Sequence, residues 1–284
     1  MMSLKLLLLS FLTLALPAQT ITHLPATLQS GSPILFRVDL QQATIITGTW
    51  LTHPVTFTRA TSTSPWLLLA GADVEQLPGS YTIELTATLA DHSTRHLTGQ
   101  IPIGKASYRT STIQVADKFL APDLETRARI AADKLVKDVA FARNTPEPLW
   151  SGPFAPPVPL SATDSFGTRR TFNGTLASVH RGTDFRAAAG TPVHAANDGV
   201  VAIAQPMFYE GGFVLVDHGL GFQTMYMHFS RIDVQAGQTV KKGQRLGLSG
   251  ATGRVTGPHL HFAARWQGTY LDPVKLLALP LPTH

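Results

Sequence analysis

The chain has 284 residues, 44% of them hydrophobic and 14% charged, with a formal net charge of +5. That apolar content can fill a sizeable core and excludes a disordered acidic tail or a coiled-coil rod, while the length admits one large domain or two ordinary ones. Cysteine is absent, which excludes disulfides, thiolate metal sites and cysteine nucleophiles, so any metal must be held by histidine and carboxylate.

The first segment, MMSLKLLLLSFLTLALPA, places Lys5 before an apolar run from Leu6 to Leu16 and ends on Pro17-Ala18. A bilayer core of about 30 Å needs roughly 20 apolar residues, so this run is too short to span it. The pattern predicts a secretory signal peptide over residues 1–18, with an uncleaved anchor as the alternative. No later segment is long and apolar enough to cross a membrane. The expectation is an exported protein, periplasmic or extracellular, with no membrane span after cleavage. The positive charge forms no runs and accompanies no nucleic-acid-binding motif, so no nucleic-acid partner is expected.

From about Ile21 to Lys105, short β-rich runs alternate with turn residues at sandwich-like spacing. Tyr81, Ile83, Leu85 and Ala87 fall on one face of a strand and Thr82, Glu84 and Thr86 on the other. This predicts an immunoglobulin-like β-sandwich over residues 19–105, without a catalytic constellation. The period changes over Asp123–Asn144, where Leu124, Ala128, Ala131, Leu135 and Val139 mark one apolar helix face. PEPLWSGPFAPPVPLS follows, a proline-rich linker or wrapping segment. Helix and linker occupy residues 106–160. From residue 161 to 284 glycine-punctuated β-rich runs return. The fold class is therefore an all-β-dominated two-domain chain with one linking helix.

Four of the seven histidines after Ser151 form a pattern with one carboxylate. His180 and Asp184 occur as H-R-G-T-D, and His259 and His261 as H-L-H. His228 ends the strand-like run T-M-Y-M-H. Alternation puts His259 and His261 on one sheet face, so one can ligate a metal while the other reaches substrate or water. Two histidines, one carboxylate and a water form a catalytic metal set without thiolates.

The surrounding residues carry a further signal. S-F-G-T-R-R (Ser165–Arg170), H-R-G-T-D-F (His180–Phe185), G-T-P-V-H-A-A (Gly190–Ala196), V-D-H-G-L-G-F-Q-T-M-Y-M-H to His228, A-G-Q-T-V-K-K-G-Q-R-L-G (Ala236–Gly247), S-G-A-T-G-R-V-T-G-P-H-L-H-F (Ser249–Phe262) and Asp272-Pro273 occur in that order. Together they resemble the lysostaphin-type (LytM-like) zinc metallopeptidases, which cut peptide bonds in peptidoglycan. The resemblance implies an antiparallel-β peptidase domain over residues 161–284 and one Zn2+ per chain on His180, Asp184 and His261. It implies that His228 and His259 are the catalytic pair, activating the attacking water and stabilising the oxyanion. It also implies peptidoglycan peptides as partners and a cell-wall location.

Two positions depart from the family pattern. Phe172, Asn173 and Gly174 stand where some members have a tyrosine, and Ala263 stands where a carboxylate often follows H-L-H-F. The first shifts oxyanion support to zinc and the histidines, and the second leaves open how the ligands are oriented. His218, His194 and Asp198 are expected to be structural, and Arg169 and Arg170 either line an anionic groove or are solvated. The alternatives to an enzyme are a non-enzymatic regulator of wall hydrolases and a wall-binding protein.

Overall fold

The computed structural model describes residues 21–283 apart from 144, 165 and 175; the segment read as a signal peptide lies outside the described residues. The first eight strands are β1 (Ile21–Leu24), β2 (Leu28–Gln29), β3 (Pro33–Val38), β4 (Ala43–Trp50), β5 (His53–Thr56), β6 (Trp66–Gly71), β7 (Gly79–Leu89) and β8 (Thr94–Gly104). They form a three-stranded sheet β1-β3-β6 and a five-stranded sheet β2-β8-β7-β4-β5. In β7, Ile83, Leu85, Ala87 and Leu89 are buried while the residues between them are not, the alternation a half-covered strand requires. Trp50 and Phe36 meet edge to face at 5.1 Å between the two sheets, and the Trp50 indole N–H donates to the Gly71 carbonyl at 2.9 Å.

A short strand β9 (Thr110–Ile113) leads to helix α1 (Leu124–Phe141). The Asp123 carboxylate accepts from the Thr126 N–H at 2.8 Å, satisfying one of the orphan donors at the helix start. The helix is where the pattern places it, but the expected apolar face points outward. Leu124, Leu135 and Val139 are 82%, 66% and 74% exposed. The docked side is Asp133, Lys137, Ala140 and Phe141. Asp133 accepts from the Phe208 N–H, Lys137 pairs with Glu210, and the Ala140 carbonyl accepts from the Gln223 amide at 2.9 Å. Arg265 covers the Phe141 ring at 4.1 Å. Polar bonds to backbone and side chains thus decide the helix's rotation, and aliphatic content does not.

The remaining elements are β10 (Ala162–Asp164), β11 (Arg169–Phe172), β12 (Leu176–Val179), β13 (Thr183–Phe185), β14 (Pro192–His194), β15 (Gly199–Met207), β16 (Gly211–Asp217), β17 (Phe222–Ile232), β18 (Thr239–Val240), β19 (Arg245–Ser249), β20 (Leu260–Trp266), β21 (Thr269–Leu271) and the short α2 (Pro273–Leu277). The main sheet runs β10-β13-β20-β17-β16-β15-β18, with β14, β19 and β21 attached at its margins. A separate sheet β12-β11-β9 stands beside it, with β9 parallel to β11.

The proline-rich segment lies on this part of the chain. Trp150, Phe154 and Val158 are buried, and the Ala155 N–H donates to Ala196 while Pro157 accepts from the His194 N–H. The two strand-rich regions also touch directly. Their buried residues form one continuous cluster, the Tyr270 N–H donates to Asp73 at 2.8 Å, and Leu271 packs on Gly71, where a Cβ would lie 2.1 Å from it. Among the described residues no helix is long and apolar enough to cross a membrane.

Candidate active site

Strand pairing brings the motif residues together. In the β13–β20 register Asp184 lies directly opposite His261, and in the β17–β20 register Met227 lies opposite His261, which sets His228 beside it. His180 follows β12 and is pinned by two backbone bonds, its N–H donating to Thr168 and its carbonyl accepting from Gly167. Gly182 in H-R-G-T-D has a steric reason. A Cβ there would lie 2.4 Å from Nε2 of His261 and 2.7 Å from the Phe262 carbonyl, so only glycine lets the turn close on that ring.

His180 Nε2, His261 Nδ1 and Asp184 Oδ1 converge. His180 Nε2 is 2.9 Å from His261 Nδ1 and 3.2 Å from Asp184 Oδ1, and His261 Nδ1 is 2.8 Å from the same oxygen. Among the described residues these three form the one group of metal-ligand type, with ligand atoms all within 4.8 Å. Lone pairs crowded in this way repel unless a cation or proton lies between them. Two imidazoles and a carboxylate with no thiolate suit a borderline divalent ion such as zinc.

Burial acts to raise the Asp184 pKa, but hydrogen bonds from His180 and His261 and their charges outweigh it and hold the carboxyl well below the usual range. Its other oxygen, Oδ2, accepts from Arg170 at 2.9 Å. Arg170, left open between groove and solvent by the sequence, is thus a largely buried partner of the cluster, its side chain 15% exposed.

His228 and His259 stand next to this group with ring centroids 4.8 Å apart. Each uses Nδ1 on a backbone carbonyl, His228 on Thr252 and His259 on Gly257, both at 2.9 Å. With the hydrogen on Nδ1, each Nε2 carries a lone pair, and that of His259 lies 3.7 Å from Asp184 Oδ1. Burial pushes the His228 pKa down to about 3, reinforced by repulsion from His261 and His259, so this ring is neutral at pH 7. Its backbone has φ of 70°, a left-handed conformation that costs a non-glycine residue on the order of 1 kcal/mol or more and gathers at functional sites. It sits where the β16–β17 register slips, a bulge that re-aims the side chain. Nothing in T-M-Y-M-H announces this.

The five residues line a cleft of about 480 Å³, whose wall also includes Ile113, Val115, Tyr209 and Arg254. Sequence reasoning passed over these four. Ile113 and Val115 arrive through β9 pairing and the bonds of Asn173, whose side chain holds both Val115 N–H and carbonyl. Ala263 is buried with Met225 and Phe213 in an apolar cluster. Arg170 orients the Asp184 carboxylate instead. His218 is fully buried, bonded to the Asp198 carbonyl and Thr224 hydroxyl, away from the cluster. Asp198 pairs with Lys241, and His194 ends β14.

Residues 178–273 match the family model described as Peptidase family M23, a range holding all five clustered residues. This stretch is a peptidase M23 domain. Over 96 residues the M23 region is 48% identical to the peptidoglycan DD-endopeptidase ShyA of Vibrio cholerae, covering 34% of this chain and 22% of that one. It is 42% identical over 104 residues to the DD-carboxypeptidase/endopeptidase Mpg of Neisseria meningitidis, covering 37% and 24%. The match thus spans less than a quarter of these curated relatives' length. A crystal structure of a putative M23 peptidase from Pseudomonas aeruginosa is similar over 88% of this chain and 94% of that one, with a TM-score of 0.65 and 28% identity.

Proposed function

We propose that this chain is an exported, zinc-dependent endopeptidase that hydrolyses peptide bonds in peptidoglycan stem or cross-link peptides. The observation that carries the reading is the convergence of His180 Nε2, Asp184 Oδ1 and His261 Nδ1 beside two histidines whose Nε2 atoms are free to handle protons. His180, Asp184 and His261 would hold the metal, one per chain. Zinc, when bound, supplies Lewis-acid polarisation of a carbonyl and a lowered pKa for water. His228 and His259 take a proton from the attacking water at Nε2 and return it to the leaving nitrogen. Their Nδ1 bonds to Thr252 and Gly257 fix the rings for that transfer, and Arg170 holds the Asp184 carboxylate in place. The relatives' names favour a DD-type cross-link bond as the one cut.

Export rests on the N-terminal signal-like segment. Residues 19–105 are read as an immunoglobulin-like sandwich that locates the enzyme or tunes access, residues 106–160 as connection, and residues 161–284 as the peptidase domain. Mass spectrometry of purified peptidoglycan digested by the chain, with and without chelator, tests the activity. The expected outcome is newly freed cross-link peptides that vanish with chelator and return with zinc. Products that persist unchanged under chelation would remove the metal from the mechanism, and no products at all would remove the substrate.

A further inference from the structure

Arg254 lies in the loop between β19 and β20, on the wall of the same cleft as the histidines. Its guanidinium packs over two rings, 4.5 Å from the Phe172 centroid and 4.8 Å from that of Tyr209. The loop is fixed from several sides. The Arg254 N–H donates to the Tyr209 carbonyl at 2.8 Å, and the Thr252 hydroxyl donates to Phe229 at 2.8 Å while accepting from the Gly212 N–H. Gly253 passes so close that a Cβ would lie 2.3 Å from the Gly211 nitrogen.

Among the described residues, no carboxylate lies within ion-pair distance of Arg254 and no side-chain hydrogen bond engages it. The carboxylates and cations around it are committed elsewhere: Glu210 to Lys137, and Asp184 to Arg170. Burial works against its charge and the nearby Arg170 charge adds to that, with Tyr209 and Glu210 opposing in part, yet a guanidinium stays protonated. A partly desolvated cation without a directly paired anion is an unfavourable arrangement in the free protein. The ring contacts offset some of this and use none of the N–H donors in a hydrogen bond. The in-plane N–H fork remains available, and its geometry matches a carboxylate.

We propose that Arg254 is a specificity-determining residue that binds a carboxylate of the peptide substrate near the scissile bond. The inference rests on the peptidase reading above and names the substrate feature that the cleft selects. Peptidoglycan peptides offer such groups on their acidic and diamino residues and at their free termini. β11 carries Phe172, and β9 pairs with it through Ile113 opposite Phe172, so the segment before α1 helps hold the clamp.

The test compares a cross-linked muropeptide carrying free carboxylates with the same compound amidated, using the full zinc-loaded chain and its Arg254→Gln and Arg254→Lys variants. The parent should lose about 10- to 100-fold in kcat/KM on the amidated compound, mainly through KM, the range of a charge-assisted hydrogen bond. Arg254→Gln should fall to that level on the free acid and no longer tell the two apart, and Arg254→Lys should recover part of the preference. Equal parental rates on both compounds would overturn the proposal. So would an equal loss by Arg254→Gln on both, since that marks a merely structural role. If the parent cleaves neither, the peptidoglycan reading fails, and a mixed peptide library decides the arginine. An acidic residue at one fixed distance from the cut, lost in Arg254→Gln, would uphold it, and any other library outcome would overturn it.

Discussion

Removing His261 takes away the nitrogen that meets both His180 and Asp184, so His261→Ala should drop zinc content well below one per chain by metal analysis. His228→Ala and His259→Ala remove neighbours of that group and should keep most of the metal while losing about 10²-fold or more in turnover. Gly182→Ala should act like a ligand mutation without replacing a ligand, because its methyl displaces the His261 ring. Weaker zinc retention under chelator titration is the expected readout. His218 makes a separate prediction about pH. Burial pushes its pKa down from 6.5 to about 4, so the unfolded chain binds its proton first as acid is added. Its contribution is fully present above about pH 6.5 and is lost as pH falls towards 4, by about 3 kcal/mol in all. Denaturant unfolding at pH 7.5 and 4.5 should show His218→Gln losing less between the two than the parent.

At the scale of elements, the sequence exposes what alternation and motif spacing encode. The β7 alternation, the H-L-H strand and the extent of α1 are all where their patterns put them. The rotation of α1 is not legible, because its docked side is written in Asp133 and Lys137, residues that read as surface until their partners Phe208 and Glu210 are in place. The pairing of β9 with β11 is equally silent, since Ser111 and Arg170 meet across a long stretch of intervening chain. The left-handed backbone of His228 leaves no trace in composition either. The helix gives a direct test. Leu135→Gln and Val139→Gln should change stability by no more than about 0.5 kcal/mol, as surface substitutions do. Ala140→Glu would put a charge at a position 4% exposed and should lower the melting temperature by several degrees.

Across the whole molecule, the regions that composition separates are interlocked. Gly71 and Leu271 fit so tightly that Gly71→Ala should cost about 1–3 kcal/mol by overpacking, and adding Leu271→Ala should return part of that loss in thermal unfolding. Ile113 and Val115, which precede α1, line the same cleft as the five clustered residues. A chain beginning near Pro148 should accordingly keep its metal but cleave soluble muropeptides with a raised KM, measured against the full chain.

The bond from Tyr270 to Asp73 joins residues 197 positions apart. On a ribosome adding about 5–20 residues per second, the partner of that early surface arrives about 10–40 s after it. Throughout that interval the patch is uncovered, and at the position that receives Leu271 it offers Gly71, which has no side chain. Such a position gives a passing hydrophobic segment little to grip, so the nascent chain can wait for its own C-terminus without recruiting a substitute.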